Sequence, residues 1–135
     1  MNVFLYNLIL SAVLTGVILI TQIINYPLFK NIKDLSLFHK EYVKRMGFVV
    51  APLMIIELTI VLIMLFYNYE DNLIKTTGLL TLIIWSSTFL IQVPIHNEIK
   101  NSKYINLEKL TKSNWIRTIS WLTKLFIAII ILENK

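Results

Sequence analysis

Four long apolar runs, separated by short polar segments, dominate the pattern of this chain. The runs cover residues 3–25, 47–67, 77–96 and 115–132. At about 1.5 Å per residue, helices of these lengths approach or exceed the roughly 30 Å needed to cross the hydrocarbon of a bilayer. The pattern predicts an all-α integral membrane protein with a single domain over residues 1–135. We expect its four transmembrane helices to form an up-down-up-down bundle.

Polar residues recur at helical spacing inside these apolar runs. Because hydrocarbon cannot satisfy a polar stripe, such a stripe must face protein, water or a ligand. The third run carries one on a single helical face, formed by Thr81, Trp85, Thr88, Gln92 and His96. Matching stripes in the first and fourth runs contain Ser11, Thr15, Gln22 and Tyr26, and Asn114, Arg117, Trp121 and Lys124. We therefore predict that the bundle has a polar interior.

The connections 28–46 and 97–114 carry most of the lysine and arginine residues. The positive-inside rule places both connections on the cytoplasmic side and both termini outside. The first connection contains Leu35, Phe38 and Tyr42, which make it weakly amphipathic. We expect a short amphipathic interfacial segment there, or an extended start to the second helix. Pro27 is predicted to end the first helix, and Pro52 to kink the second.

Composition narrows the functional classes. The chain is 56% hydrophobic and only 16% charged, which excludes an ordinary soluble domain. It has no cysteine, which excludes disulfides, thiolate metal ligands and cysteine nucleophiles. The net charge of +5 is more typical of membrane topology than of nucleic-acid binding. We find no nucleophile triad, zinc-ligand spacing or phosphate-binding glycine loop.

Two charged residues, Glu57 and Lys124, fall near mid-depth of their apolar runs. Charges at that depth are costly, so the two side chains should pair or face a polar cavity. Their similar depth makes a pair geometrically easy. One interpretation is a structural ion pair that holds the bundle together. The other is a site that handles protons or binds substrate, with Glu57, Lys124 and His96 as catalytic candidates.

The two histidines, His39 and His96, are expected near the cytoplasmic boundary. They are weak candidates for metal ligands, and two imidazoles could hold a haem iron from both faces. No sequence motif supports haem or metal binding, so the cofactor is unknown. If residues 39–57 form one helix, His39 and Glu57 lie about 27 Å apart and cannot share a metal. The alternative is a pair of interfacial histidines that hydrogen-bond to loop groups.

Polar and aromatic residues on the three stripes should converge toward the cytoplasmic end of the bundle. One interpretation is an interhelical hydrogen-bond cluster, with Trp85 and Trp121 as core packing. The other is a vestibule for an anionic or quinone-like head group, with Arg117 as the anion partner. The predicted ligand-binding residues are Gln22, Tyr26, Trp85, Gln92, His96, Asn114, Arg117 and Trp121.

Two segments hint at an internal repeat. TQIINYPLFKNI and IQVPIHNEIK each place a glutamine, then a proline, then a basic segment at the end of an odd-numbered run. Two explanations are open. The chain could have arisen by duplication of a two-helix unit, or similar positions in two membrane helices could have produced similar sequences by chance.

Two short motifs carry a resemblance to a known family. QVPIHNEI at 92–99 and NWIRTISW at 114–121 resemble segments of the small four-helix membrane proteins grouped with the anthrone oxygenases. YPLF at 26–29 and FHKEYVKR at 38–45 are similar to related families. The resemblance implies a four-helix membrane fold. The residues carried over by position are Pro94, His96, Asn97, Asn114, Trp115 and Arg117, with His96 standing where many relatives have asparagine.

The fungal members of that family are linked to oxygenation of anthrone-type aromatic polyketides without an obvious cofactor. The resemblance therefore implies a candidate oxidoreductase. We expect a multi-pass membrane protein whose polar interior binds a small hydrophobic or aromatic molecule. The alternatives are a non-catalytic accessory subunit of a larger membrane complex and a small dimeric transporter. The expected partners are the lipid bilayer, the ligand or a membrane subunit, and a second copy of the chain, but no nucleic acid.

Overall fold

A computed structural model describes residues 2–101 and 107–134 of the chain. These residues form four long helical segments, which are α1 (Val3–Asn31), α2 (Leu35–Tyr67), α3 (Asn72–Lys100) and α4 (Leu107–Asn134). All four are long and apolar enough to cross a membrane. The prediction of an all-helical membrane protein with four such helices is confirmed. Lys103, which belongs to the predicted third connection, lies outside the described residues.

The helices extend beyond the apolar runs because polar side chains cap their first turns. Asp34 accepts a hydrogen bond from the Leu37 amide at 3.2 Å, and Asp71 accepts one from the Leu73 amide at 2.8 Å. Residues 35–46 are consequently the first turns of α2. The predicted interfacial segment is thus continuous with the second helix, which was the second of the two alternatives.

The helices α1 and α3 share a backbone irregularity that lies just before a proline. A widened π-helical turn covers Thr21–Asn25 in α1 and Thr88–Gln92 in α3, and a proline follows each of them. A proline ring clashes with the preceding turn of a regular α-helix, and a widened turn relieves that clash. Pro27 therefore does not end α1, contrary to the prediction. The second helix is likewise continuous across Pro52.

The four helices pack as a bundle in which α1 and α3 each contact both α2 and α4. Its buried apolar side chains form three clusters along the length of the bundle. The middle one contains Leu14, Ile18, Met54, Ile84 and Trp121. The outer surface carries exposed apolar side chains, with Phe48 85% and Phe66 81% accessible. An apolar exterior of this kind suits contact with lipid.

Candidate functional site

A buried ion pair joins α2 to α4 near the middle of the bundle. Glu57 Oε1 lies 2.7 Å from Lys124 Nζ, and neither side chain has any accessible surface. Lys124 also donates to Thr81 Oγ1 at 2.9 Å, which brings in α3. Trp121 Nε1 lies 3.2 and 3.3 Å from the two carboxylate oxygens of Glu57 and donates to them. The structure thus brings the two predicted charges together and surrounds them with polar partners.

A second network connects α1 to α4 through Gln22. Its Oε1 accepts hydrogen bonds from Asn114 Nδ2 at 2.8 Å and from Thr118 Oγ1 at 3.4 Å. Its Nε2 donates to the Thr111 carbonyl at 3.0 Å. Gln92 of α3 plays a similar part, since its Nε2 donates to Ser113 Oγ at 2.9 Å. These amides join helices to each other, as the hydrogen-bond-cluster interpretation expects.

A chain of three side chains runs from the cavity described below to the start of α2. The Tyr26 hydroxyl lies 3.0 Å from His96 Nε2, and His96 Nδ1 lies 2.7 Å from His39 Nε2. The two imidazole rings stack with an interplanar angle of 25°. His39 contacts His96 and not a loop group because α2 begins early enough to carry it alongside α3.

This chain can be polarised in either direction. If Tyr26 donates to His96, then His96 donates to His39 through its other nitrogen. In the reverse sense His39 donates to His96, which donates to the tyrosine oxygen, and the hydroxyl turns to Gln92 Oε1 at 3.4 Å. A hydrogen-bonded chain with two such arrangements can transfer a proton along its length.

The geometry of the histidines does not fit a metal shared between them. Their facing nitrogens are 2.7 Å apart, whereas two nitrogen ligands of one metal ion are separated by roughly 4 Å when they lie on opposite sides of it. Within residues 2–101 and 107–134, no group of three or more histidine, aspartate or glutamate side chains could hold a metal. The continuous α2 helix also keeps Glu57 remote from His39.

A cavity of about 380 Å³ lies among the four helices, beside the histidine chain. This volume falls in the range of small-molecule sites. Most of its wall is apolar, from residues such as Leu14, Val50 and Met54. Its aromatic and polar lining residues include Tyr26, Tyr42, Trp85, His96, Arg117 and Trp121.

The cavity separates the predicted ligand-binding residues into two groups. Five of the eight predicted residues line it, namely Tyr26, Trp85, His96, Arg117 and Trp121. Gln22, Gln92 and Asn114 are instead bonded between helices. Glu57, Lys124 and His39 are also absent from the described wall. Trp121 belongs to both regions, because its ring lines the cavity while its Nε1 binds Glu57.

Sequence reasoning missed the contribution of α2 to this wall. Tyr42, Met46 and Val50 line the cavity at helical spacing, but residues 28–46 were assigned to a connection. The repeat of apolar residues from position 42 to 50 was the available signal. Thr81 was recognised as inward-facing, whereas its role as a partner of Lys124 depends on how α3 and α4 pack.

Comparison with known proteins adds no assignment. No protein-family model matches the chain, and neither a curated protein nor a solved structure matches it. The resemblance to the anthrone oxygenase group therefore stays a prediction that depends on the two short motifs.

Proposed function

We propose that this multi-pass membrane protein binds a small hydrophobic or aromatic molecule in its interior cavity. The observation that carries the proposal is the cavity of about 380 Å³, whose wall is mostly apolar. Each of the four helices contributes one tyrosine or tryptophan to this wall, and His96 and Arg117 add polar groups. Flat aromatic molecules stack well on such side chains, and the few polar groups can orient them.

The accessible part of the wall indicates how a ligand enters. Ala51 and Ile55 of α2 and Phe89 of α3 line the cavity and are exposed on the outer surface. In a bilayer, this side of the bundle faces lipid. We therefore propose that an apolar ligand enters laterally from the membrane between α2 and α3.

Binding can be tested with a matched pair of glycine variants. Gly47 lines the cavity and Gly16 does not, and a Cβ atom at either position meets nothing within 4 Å. Both glycines lie inside helices, so Gly47→Leu and Gly16→Leu change helix propensity alike. Isothermal titration with an apolar aromatic probe in an uncharged detergent should show binding that Gly47→Leu weakens and Gly16→Leu preserves. Equal effects of the two variants would contradict the proposal.

We further propose the up-down-up-down topology with both termini outside and residues 28–46 and 97–114 on the cytoplasmic side. The excess of basic residues in these segments supports it. The chain has no cysteine, so single cysteines can be labelled without background. Lys30→Cys should react with an impermeant reagent only in inverted vesicles, and Glu70→Cys only in intact cells. The opposite result would reverse the orientation.

A candidate oxidoreductase activity on the bound molecule is the second function we propose. The Tyr26–His96–His39 chain favours it, because it can move a proton at the cavity wall. An absorption spectrum with metal analysis of the purified protein tests how such a reaction could proceed. A Soret band or stoichiometric iron that disappears in His96→Ala would show a bound redox cofactor. A colourless protein free of metal would leave a cofactor-free reaction, an accessory role or dimeric transport, which co-purifying subunits and oligomeric state distinguish.

A further inference from the structure

Arg117 is a cation at the cavity wall that has no acidic partner among the residues that the structure describes. It lines the cavity from α4, and its Nε atom is buried without a hydrogen-bond partner. The ion pairs seen in the described part of the chain join Glu41 to Arg45, Glu57 to Lys124 and Glu108 to Lys112, so none includes Arg117. Its guanidinium carbon lies over the ring of Trp121, 5.5 Å from the ring centroid. Among residues 2–101 and 107–134, no acidic side chain thus compensates the positive charge of Arg117.

The depth of Arg117 makes this lack of a counter-charge significant. Arg117 lies two turns before Lys124 on α4, about 10 Å along the helix axis. If the buried pair sits near mid-membrane, Arg117 is still within the hydrocarbon. A guanidinium stays charged in proteins, so it cannot become neutral as a lysine can. Charged groups at such depth are paired, or face a polar cavity or pathway.

Glu57 is not available as this partner. Its carboxylate is already engaged by Lys124 at 2.7 Å and by the Trp121 indole. The other groups on the wall near Arg117 are neutral hydrogen-bonding side chains such as Tyr26 and His96. When His96 donates to the tyrosine oxygen, the Tyr26 hydroxyl can donate to an anion in place of Gln92 Oε1. The remaining wall is apolar and offers no second charge among the described residues.

We propose that the molecule bound in this cavity is a monocarboxylate with an apolar body, and that Arg117 binds its carboxylate. This inference depends on the proposed binding function and names the class of ligand. The planar guanidinium matches a carboxylate with two parallel hydrogen bonds, and the apolar wall strengthens the attraction by lowering the local dielectric constant. The apolar wall accommodates the rest of the molecule, which is either aromatic or aliphatic.

Two pairs of probes test whether the ligand needs a carboxylate charge and whether its apolar part is aromatic or aliphatic. The first pair is 2-naphthoate and its methyl ester, and the second is decanoate and its methyl ester. Titration calorimetry in an uncharged detergent, with a detergent blank, compares each acid with its ester. We expect one acid to bind the wild-type protein at least 10-fold more tightly than its ester, a difference typical of a charge-assisted contact. The pair that shows this preference identifies whether the apolar part of the ligand is aromatic or aliphatic.

Variants at Arg117 then test whether this residue causes the tighter binding of the acid. Arg117→Gln should abolish the difference between acid and ester, and Arg117→Lys should retain part of it. The control is Arg45→Gln, because the Arg45 side chain is 83% exposed and its contact with Glu41 is 3.9 Å long. That control should keep the wild-type preference. A preference that survives Arg117→Gln would overturn the assignment.

The wild-type comparison alone keeps the inference falsifiable if the glutamine variant does not fold. Equal binding of acid and ester, with both weakened by Gly47→Leu, would refute the carboxylate and leave the cavity function intact. Binding of neither pair would contradict both. Native mass spectrometry offers a further outcome, since a phospholipid that co-purifies and is lost in Arg117→Gln would show that a lipid phosphate occupies the site instead.

Discussion

Two cations on one face of α4 have opposite surroundings. Lys124 is sealed from solvent and has a carboxylate at 2.7 Å and a hydroxyl at 2.9 Å. Arg117, two turns earlier, lies at the cavity wall over the ring of Trp121, and it forms no ion pair within the described part of the chain. The same helix thus carries a satisfied charge and an unsatisfied one. The contrast supports our proposal that Arg117 binds a ligand, whereas Lys124 is already bonded within the bundle.

The physical basis of the contrast is the cost of a charge without a partner. Removing one member of a buried pair leaves the other charge uncompensated in a medium of low dielectric constant. Removing a charge that has no partner creates no such defect. Substitutions at the two positions should therefore differ in how much they lower the free energy of unfolding.

The largest loss is expected from breaking the Glu57–Lys124 pair. Glu57→Gln or Lys124→Met should each lower the free energy of unfolding by about 3 kcal/mol, because the remaining charge stays buried. The double variant Glu57→Leu with Lys124→Met should recover most of that loss. Unfolding in mixed micelles with increasing dodecyl sulfate measures both. Unchanged stability in the two single variants would show that the pair is not structural.

An intermediate effect is expected at the neutral network around Gln22. Gln22→Leu removes the acceptor of Asn114 and the donor to the Thr111 carbonyl. Hydrogen bonds between membrane helices contribute modestly, so the loss should be about 1 kcal/mol. Combining it with Asn114→Leu should cost less than the sum of the two single variants, because both changes break one bond. Strict additivity in the same unfolding experiment would argue against the bond.

The smallest effect is expected from Arg117→Met. The variant loses a stacking contact worth about 1 kcal/mol or less, and it removes a cation without a described acidic partner. Its stability should remain within about 1 kcal/mol of the wild type, whereas Lys124→Met, the same kind of change on the same helix, falls by about 3 kcal/mol. A loss at Arg117 as large as that at Lys124 would show that the arginine has a structural partner and would remove the contrast.

The two segments of the suggested internal repeat share a backbone feature. The offset that places Pro27 on Pro94 also places Thr21 on Thr88 and Glu57 on Lys124. Both threonines begin a widened turn and donate to a carbonyl one turn earlier, at 2.9 and 2.8 Å. A proline follows each widened turn and accounts for it, so the matching turns are expected whether the two segments are related by duplication or similar by chance. In a duplicated two-helix unit, the two members of the buried pair would occupy equivalent positions.

Local sequence patterns were enough to predict the four helices and most of the inward-facing residues. Hydrophobicity and helical spacing are local properties, so they correctly indicated that Gln22, Glu57 and Lys124 are buried. They could not show the length of the helices, because the Asp34 cap and the widened turn before Pro27 allow a helix to continue where local rules would end it.

The hydrogen-bond or ion-pair partner of each inward-facing residue could be known only from the way the helices pack. Lys124 and Arg117 lie on the same polar stripe of α4, so the sequence pattern does not distinguish them. The packing of α2 and α3 against α4 places Glu57 and Thr81 beside Lys124, and it leaves a cavity beside Arg117. The early start of α2 likewise brings His39 to His96. Partner choice depends on the relative position of helices, which is a collective result of packing and is not encoded in the pattern of any single run.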